Sequence, residues 1–233
     1  MSNGTHNVDA TQIAFITNQK TLIAACDSLQ APDFNNPKDK SPASLHAKYS
    51  RIKINVTDFS KTPTVFMCFY LQPQEICALY DDAKKVKGTA QEYKWGSQKK
   101  KEQGGKTTAE AITVARNPYR DAEKTVVSNY PWTIKISHGT YPNGPNDKPN
   151  YDKNAYKMLS DVEFVGFLCS IVRYMSAWEV VMGAPIIKRI DAIKKARHDN
   201  RDGAAPPHNT APQPANAPAG SNAPPNDFDD EPL

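Results

Sequence analysis

The sequence predicts an α+β protein built on antiparallel sheet, with strand-strand-helix units that repeat along the chain and a long amphipathic helix near the end of the folded body. Three observations predict it. Residues 48–56 alternate, with Ile52, Ile54 and Val56 on one side and Tyr49, Arg51, Lys53 and Asn55 on the other, the two-residue period of a half-buried strand. Residues 64–71 are apolar on both sides (Val65, Met67, Phe69 against Phe66, Cys68, Tyr70), as a central strand is, and Pro73 then opens a helix. Phe164, Leu168, Ile171, Met175, Trp178 and Met182 step by four and three, a sustained helical stripe.

In chain order, residues 12–16 and 21–26 are apolar runs around a polar break, either a hairpin or a strand entering a helical turn. Residues 31–44 gather Pro32, Asn35, Asn36, Pro37 and Pro42 and read as a loop. After the two strands, residues 74–86 form a helix with Ile76, Leu79, Tyr80 and Ala83 on its apolar side. Residues 88–108 combine Lys94, Trp95, Lys99, Lys100, Lys101, Gly104, Gly105 and Lys106 and are expected to be a flexible basic flap. Gly105, Lys106 and Thr107 resemble the end of a phosphate-binding loop, but Lys100 and Lys101 stand where its first glycine belongs, which excludes that class of nucleotide hydrolase.

The second half is expected to repeat the first. Short β-like runs fall at residues 111–115 and 125–128, and residues 131–138 form a strand with Trp132, Ile134 and Ile136 opposite Thr133, Lys135 and Ser137. Residues 141–151 read as an irregular loop. The long helix runs over 160–182, with Ser160 and Glu163 in capping-box spacing. Its stripe is buried against a sheet or another subunit, so a homo-oligomer is allowed. Arg173 and Glu179 lie inside the stretch, and at about 2.5–3.5 kcal/mol per central charge they argue against a membrane span. Pro185 is expected to end the helix, and residues 186–197 restart it with Lys188, Arg189, Lys194, Lys195 and Arg197.

Composition then divides the chain into a basic body (residues 1–202), a linker (203–226) and a tip (227–233). The linker has seven Pro, seven Ala and four Asn among 24 residues and no Asp, Glu, Lys or Arg, too little apolar side chain to offset the entropy of ordering. The tip is Asp227, Phe228, Asp229, Asp230, Glu231, Pro232 and Leu233. The body holds all 29 Lys+Arg and 21 of the 25 Asp+Glu, a net charge of +8, while residues 203–233 hold four acids and no Lys or Arg. So basic a body favours polyanionic partners through counterion release.

The order of basic domain, Pro/Ala/Asn-rich linker and acidic tip resembles the bacterial and phage single-stranded DNA-binding proteins, with Leu233 standing where that family ends in Phe. The resemblance implies that the tip docks on replication or recombination proteins and competes with DNA for the basic surface. The order of strand-rich units each ending in a helix is similar to the Whirly-type single-stranded DNA-binding proteins. A five-strand oligonucleotide-binding barrel is the alternative architecture.

The function expected on this reading is sequence-tolerant binding of single-stranded DNA. Tyr49, Trp95 and Trp132 stack bases, and Arg51, Lys53, Lys94, Lys99, Lys100, Lys101 and Lys135 hold phosphates. No catalysis, cofactor or metal is implied, because the five histidines do not cluster and Cys26, Cys68, Cys77 and Cys169 show no ligand spacing. Reduced thiols and a polar amino terminus without a signal pattern lead to a cytoplasmic location and no membrane partner as expectations. The alternative function is a phage or mobile-element scaffold or interaction protein whose tail serves solubility.

Overall fold

The structure, a computed structural model, describes residues 11–31, 48–103, 106–142 and 148–202. The linker, the tip and most of the proline-rich loop at 31–44 lie outside the described residues. Eight strands and two helices follow one another as β1 (Gln12–Thr17), β2 (Thr21–Ser28), β3 (Arg51–Asp58), β4 (Val65–Leu71), α1 (Pro73–Val86), β5 (Tyr93–Gln103), β6 (Lys106–Arg116), β7 (Trp132–Thr140), β8 (Asn150–Leu159) and α2 (Asp161–Asp202). The strands make two antiparallel four-stranded sheets in the orders β1-β2-β3-β4 and β5-β6-β7-β8. The fold is thus α+β with four strands and a helix, twice, and neither sheet closes into a barrel. The chain divides into two units at Ile190 and Asp191. Both sheets belong to the first; of the second, the described part is the last turns of α2.

Register shows why one sequence period makes one core. In the first sheet Ile23 faces Val56, which faces Met67, and Ala25 faces Ile54, which faces Phe69. In the second, Trp95, Val114 and Ile134 share a row, as do Ser97, Ile112, Ile136 and Ala155. These inward faces, with Ile76, Leu79 and Ala83 of α1 and Phe164, Leu168 and Ile171 of α2, form a single buried cluster. At roughly 25 cal/mol per Å² of apolar surface removed from water, that cluster is the main favourable term of the fold.

Three polar residues of the second sheet also face inward. Lys99 Nζ donates to the Tyr70 carbonyl and lies 4.4 Å from the centre of the Phe69 ring. His138 Nε2 is 3.2 Å from the Cys68 carbonyl, and Lys157 Nζ donates to the Thr21 carbonyl at 3.1 Å. Tyr70 and Cys68 lie on β4, the edge of the first sheet, and an edge strand presents carbonyls that need partners. Lys99 and His138 therefore cover a sheet edge. Burial pushes the Lys99 and Lys157 ammonium groups below the usual lysine range.

Both helices begin with reciprocal caps. The Gln72 N–H donates to Glu75 Oε2 at 2.7 Å, and the Glu163 N–H donates to Ser160 Oγ at 3.2 Å while the Ser160 N–H donates to Glu163 Oε2 at 2.8 Å. After α1, Gly88 takes φ +71°, the left-handed conformation that closes a helix most cheaply without a side chain. Its freed N–H donates to Asp161 Oδ2 at 2.9 Å. Asp161 also receives the Arg116 fork, Nε to Oδ1 at 2.9 Å and Nη2 to Oδ2 at 3.0 Å, and the Trp132 indole N–H at 2.7 Å. Farther along α2, the Tyr174 hydroxyl donates to Asp27 Oδ2, and that bond, with burial and the Asp27 charge, pushes the hydroxyl up to about 12.

Several sequence expectations are corrected. The flap expected over residues 88–108 is instead mostly β5 and the start of β6, which pair antiparallel, and in β5 Lys99 takes an inward position that hydrophobic alternation would assign to an apolar residue. Residues 125–128 form no strand; an isolated bridge joins Tyr119 to Val127. The segment before α2 contains a whole strand, β8, hidden because Lys157 fills an inward place between Ala155 and Leu159. Pro185 does not end the helix: α2 continues through it, and the carbonyl deprived of a donor belongs to Val181, an exposed residue that water can reach.

The segment 161–196 is long and apolar enough to cross a membrane by length and composition, with a mean hydropathy of 1.4 over its richest window. Its first four turns bury Phe164, Phe167, Leu168, Ile171 and Met175 in the core. Beyond them Val180, Val181 and Ile187 are 79%, 68% and 60% exposed.

Candidate nucleic-acid interface

Where one side of a sheet is buried in the core, period 2 dictates what stands on the other. On the second sheet the outward rows run Lys94, Ala115, Thr133, Met158, then Gly96, Thr113, Lys135, Tyr156, then Gln98, Ala111, Ser137, Asn154. None of these twelve residues is acidic. The floor is small side chains, Ser137 among them buried, between a lysine margin on β5 and Tyr156 and Met158 on β8, 46% and 48% exposed. Lys94 and Lys135 make no ion pair among the described residues, and Lys100, one row beyond, has a carboxylate no nearer than Glu102 at 3.9 Å. The Tyr141 hydroxyl accepts from Gln98 Nε2 at 2.7 Å and its ring lies 5.9 Å from Lys100 Nζ, closing that end. At about 3.4 Å per residue, Lys94 and Lys100 stand about 20 Å apart along β5.

Chemically, such a surface offers ammonium groups to phosphates and an aromatic and a thioether to bases, with the polar side chains of Thr113, Thr133 and Asn154 between them. The first sheet offers less. Its outward side has Phe15 and Phe66, each 55% exposed, Lys53 Nζ at 5.9 Å from the Phe66 ring, and Arg51, whose Nη1 donates to the Lys48 and Ser50 carbonyls. Tyr49 is exposed just before β3. Between them, however, Ala24, Cys26 and Asn55 are buried, so the middle of this sheet is covered. Asn55 donates to Cys26 Sγ at 3.4 Å, while its Oδ1 has no partner among the described residues.

The ten residues that the sequence proposes as a binding site therefore fall in three places. Lys94, Lys100 and Lys135 share the outward face of the second sheet, and Tyr49, Arg51 and Lys53 gather on or beside that of the first. The other four are not on either open face. Trp132 is fully buried, its ring 4.1 Å from that of Phe164 and its indole N–H spent on Asp161, so it cannot stack a base. Trp95 packs partly buried against the core. Lys99 covers the β4 edge, and Lys101 is paired with Glu110 at 2.6 Å. Tyr156 and Met158, the outward groups on β8, were missed because that strand was, and Asn154, Tyr156 and Met158 in alternation with Ala155 and Leu159 are the signal that finds them.

The inward role of Lys99 is testable by stability. Lys99→Met keeps the aliphatic stem over Phe69 but leaves the Tyr70 carbonyl without its donor, and is expected to lower unfolding free energy by about 1–3 kcal/mol in denaturant titration. An unchanged midpoint would remove this role.

No protein-family model matches the chain, and no curated protein matches its sequence.

Proposed function

We propose that this chain binds single-stranded DNA with little sequence preference, through the outward face of β5–β8. The observation that carries the reading is that face itself: Lys94, Lys100 and Lys135 beside exposed Tyr156 and Met158, over small side chains and with no acid in its three central rows. The body's net charge of +8 adds a sequence-independent attraction. Four antiparallel strands followed by a helix, twice over, is the element order that supports a Whirly-type architecture. The acidic tip, residues 227–233, is then an intramolecular competitor for the basic face and a docking peptide for replication or recombination proteins.

The test is a fluorescence titration of the full chain with oligo-dT and with duplex of equal length, repeated over salt. Preference for the single strand is expected, with log affinity falling against log salt by at least about 2, since three phosphate contacts contribute about 0.7 each. Absence of binding at low salt would end the reading. Removing residues 227–233 is expected to tighten binding at fixed low salt, and unchanged or weaker affinity would end the competition.

A second reading, a scaffold or interaction protein, draws on a different observation. Val180, Val181 and Ile187 leave an exposed apolar run on α2 after its first turns enter the core, and such surface marks protein association.

A further inference from the structure

Between β6 and β7 the chain makes an excursion whose two ends are tied, the Asn117 N–H donating to the Pro131 carbonyl at 2.8 Å. The excursion is well organised internally. Asp121 accepts from the Thr125 and Val126 amides at 3.1 and 2.8 Å and from the Thr125 hydroxyl, bonds that hold its carboxyl down to about 2. The Arg120 N–H donates to the Val126 carbonyl at 2.8 Å and the Ser128 N–H to the Pro118 carbonyl at 2.8 Å. Between this loop and the sheet opens a cavity of about 410 Å³, lined among others by Asn117, Tyr119, Arg120, Tyr130, Thr133 and Met158.

Thr133 and Met158 belong to both places: they line the cavity, and they end the Lys94 row of the outward face. The cavity is thus the continuation of that face past its last row. Its volume falls in the range of small-ligand sites, roughly 300–1,000 Å³. Its lining brings together the phenol rings of Tyr119 and Tyr130, the polarisable thioether of Met158, the amide of Asn117, and the guanidinium of Arg120, which has no ion pair among the described residues. Tyr130 and Met158 both line it and are half-exposed, so a flat ring can reach them without displacing core.

We infer that this cavity takes one unpaired nucleobase, stacked by Tyr130 and Met158, with the adjoining phosphate on Arg120. The inference rests on the proposed function and deepens it. Lysines on the open face attract duplex and single strand alike through phosphates, whereas a base that enters a cavity must first leave its partner. Single-strand selectivity then resides here, and charge resides on the sheet.

The experiment compares oligo-dT with an abasic strand of the same length and charge, at one salt concentration, using the full chain and its Tyr130→Ala, Tyr130→Phe and Met158→Ala variants. The wild type is expected to prefer oligo-dT. Tyr130→Ala and Met158→Ala are expected to lose roughly 5- to 150-fold on oligo-dT, the size of one base stack, and to bind the abasic strand as the wild type does. Tyr130→Phe, which keeps the ring, is expected to retain affinity. Equal wild-type affinity for the two strands overturns the cavity and the stacking on the face while leaving the face's lysines standing, and oligo-dT binding untouched by Tyr130→Ala and Met158→Ala overturns the cavity alone. Equal losses on both strands overturn it too, as the effect is then on phosphates or folding. Binding of neither strand by the wild type overturns the face and the cavity together.

Discussion

Asp161→Ala is expected to lower the unfolding free energy by about 3–5 kcal/mol, the range for breaking a buried ion pair by removing one partner. The Arg116 side chain is only 2% exposed and its guanidinium has committed two N–H groups to Asp161 and a third to the Gln91 carbonyl at 2.7 Å. Without the carboxylate, that charge stays in the core with only the Gln91 carbonyl as partner, the Trp132 indole and Gly88 amide lose their acceptor, and α2 loses its first-turn anchor. For a body of this size the melting midpoint should fall by on the order of 10 °C. Asp161→Asn keeps the shape but turns an amide NH2 toward groups that are all donors, so it should rescue little.

The pH dependence follows with a definite sign. Burial works to raise the Asp161 carboxyl, but the Arg116 fork, the Gly88 amide and the Trp132 indole outweigh it and hold it below the usual aspartate value. The unfolded chain therefore binds more protons in the acid range. The stabilisation is present in full above the unfolded value near 3.9 and is lost as pH falls through the lower folded value. Thermal melts between neutral pH and about pH 3 should show a steeper loss in the wild type than in Asp161→Asn. Parallel curves, or a loss below about 1 kcal/mol for Asp161→Ala, would mean that this pair is solvated and marginal.

Where one period ran unbroken, the sequence read correctly: Ile52, Ile54 and Val56 for β3, the doubly apolar β4, Pro73 at the first turn of α1, and Ser160 with Glu163 before α2. The failures share a cause. Lys99, His138 and Lys157 occupy inward positions not to bury apolar area but to donate to, or sit against, backbone carbonyls of the first sheet. A rule that scores inward positions by hydrophobicity reads such strands as loops, and so turned β5 into a flap and hid β8. Lys99, with Lys101, also misled the choice of phosphate contacts, because a sequence shows charge without showing which side of a sheet it stands on. Trp132 fails for the opposite reason. Its alternation with Ile134 and Ile136 already placed it inward, and only its aromatic ring suggested a base as partner; the structure stacks that ring near Phe164 and gives its N–H to Asp161. The cavity was legible in no local signal, since it joins a loop from one hairpin to the last row of another.

Replacing Lys94, Lys100 and Lys135 together by glutamate should reduce oligo-dT affinity on the order of 100-fold or more at low salt, and flatten the salt dependence by about 2 to 3 in slope. The effect exceeds neutralisation because each change also sets an anion against the strand. Stability should hardly move: all three side chains are exposed, and the Lys100–Glu102 contact at 3.9 Å is at the margin of an ion pair. That separation matters, since Lys99→Met is expected to do the reverse, lowering the unfolding midpoint while leaving the salt slope alone. The first sheet supplies the control. Arg51 and Lys53 face outward from the other sheet, and the two sheets share one core between their inward faces, so a strand lying on β5–β8 does not reach both without passing round an edge. Arg51→Glu with Lys53→Glu should therefore cost less affinity and less slope than the Lys94, Lys100 and Lys135 triple. If the two sets prove equal, the strand wraps the body and both faces bind. If only the Arg51 and Lys53 pair matters, the interface lies on the first sheet, where Phe15 and Phe66 take the place of Tyr156 and Met158 as the stacking groups.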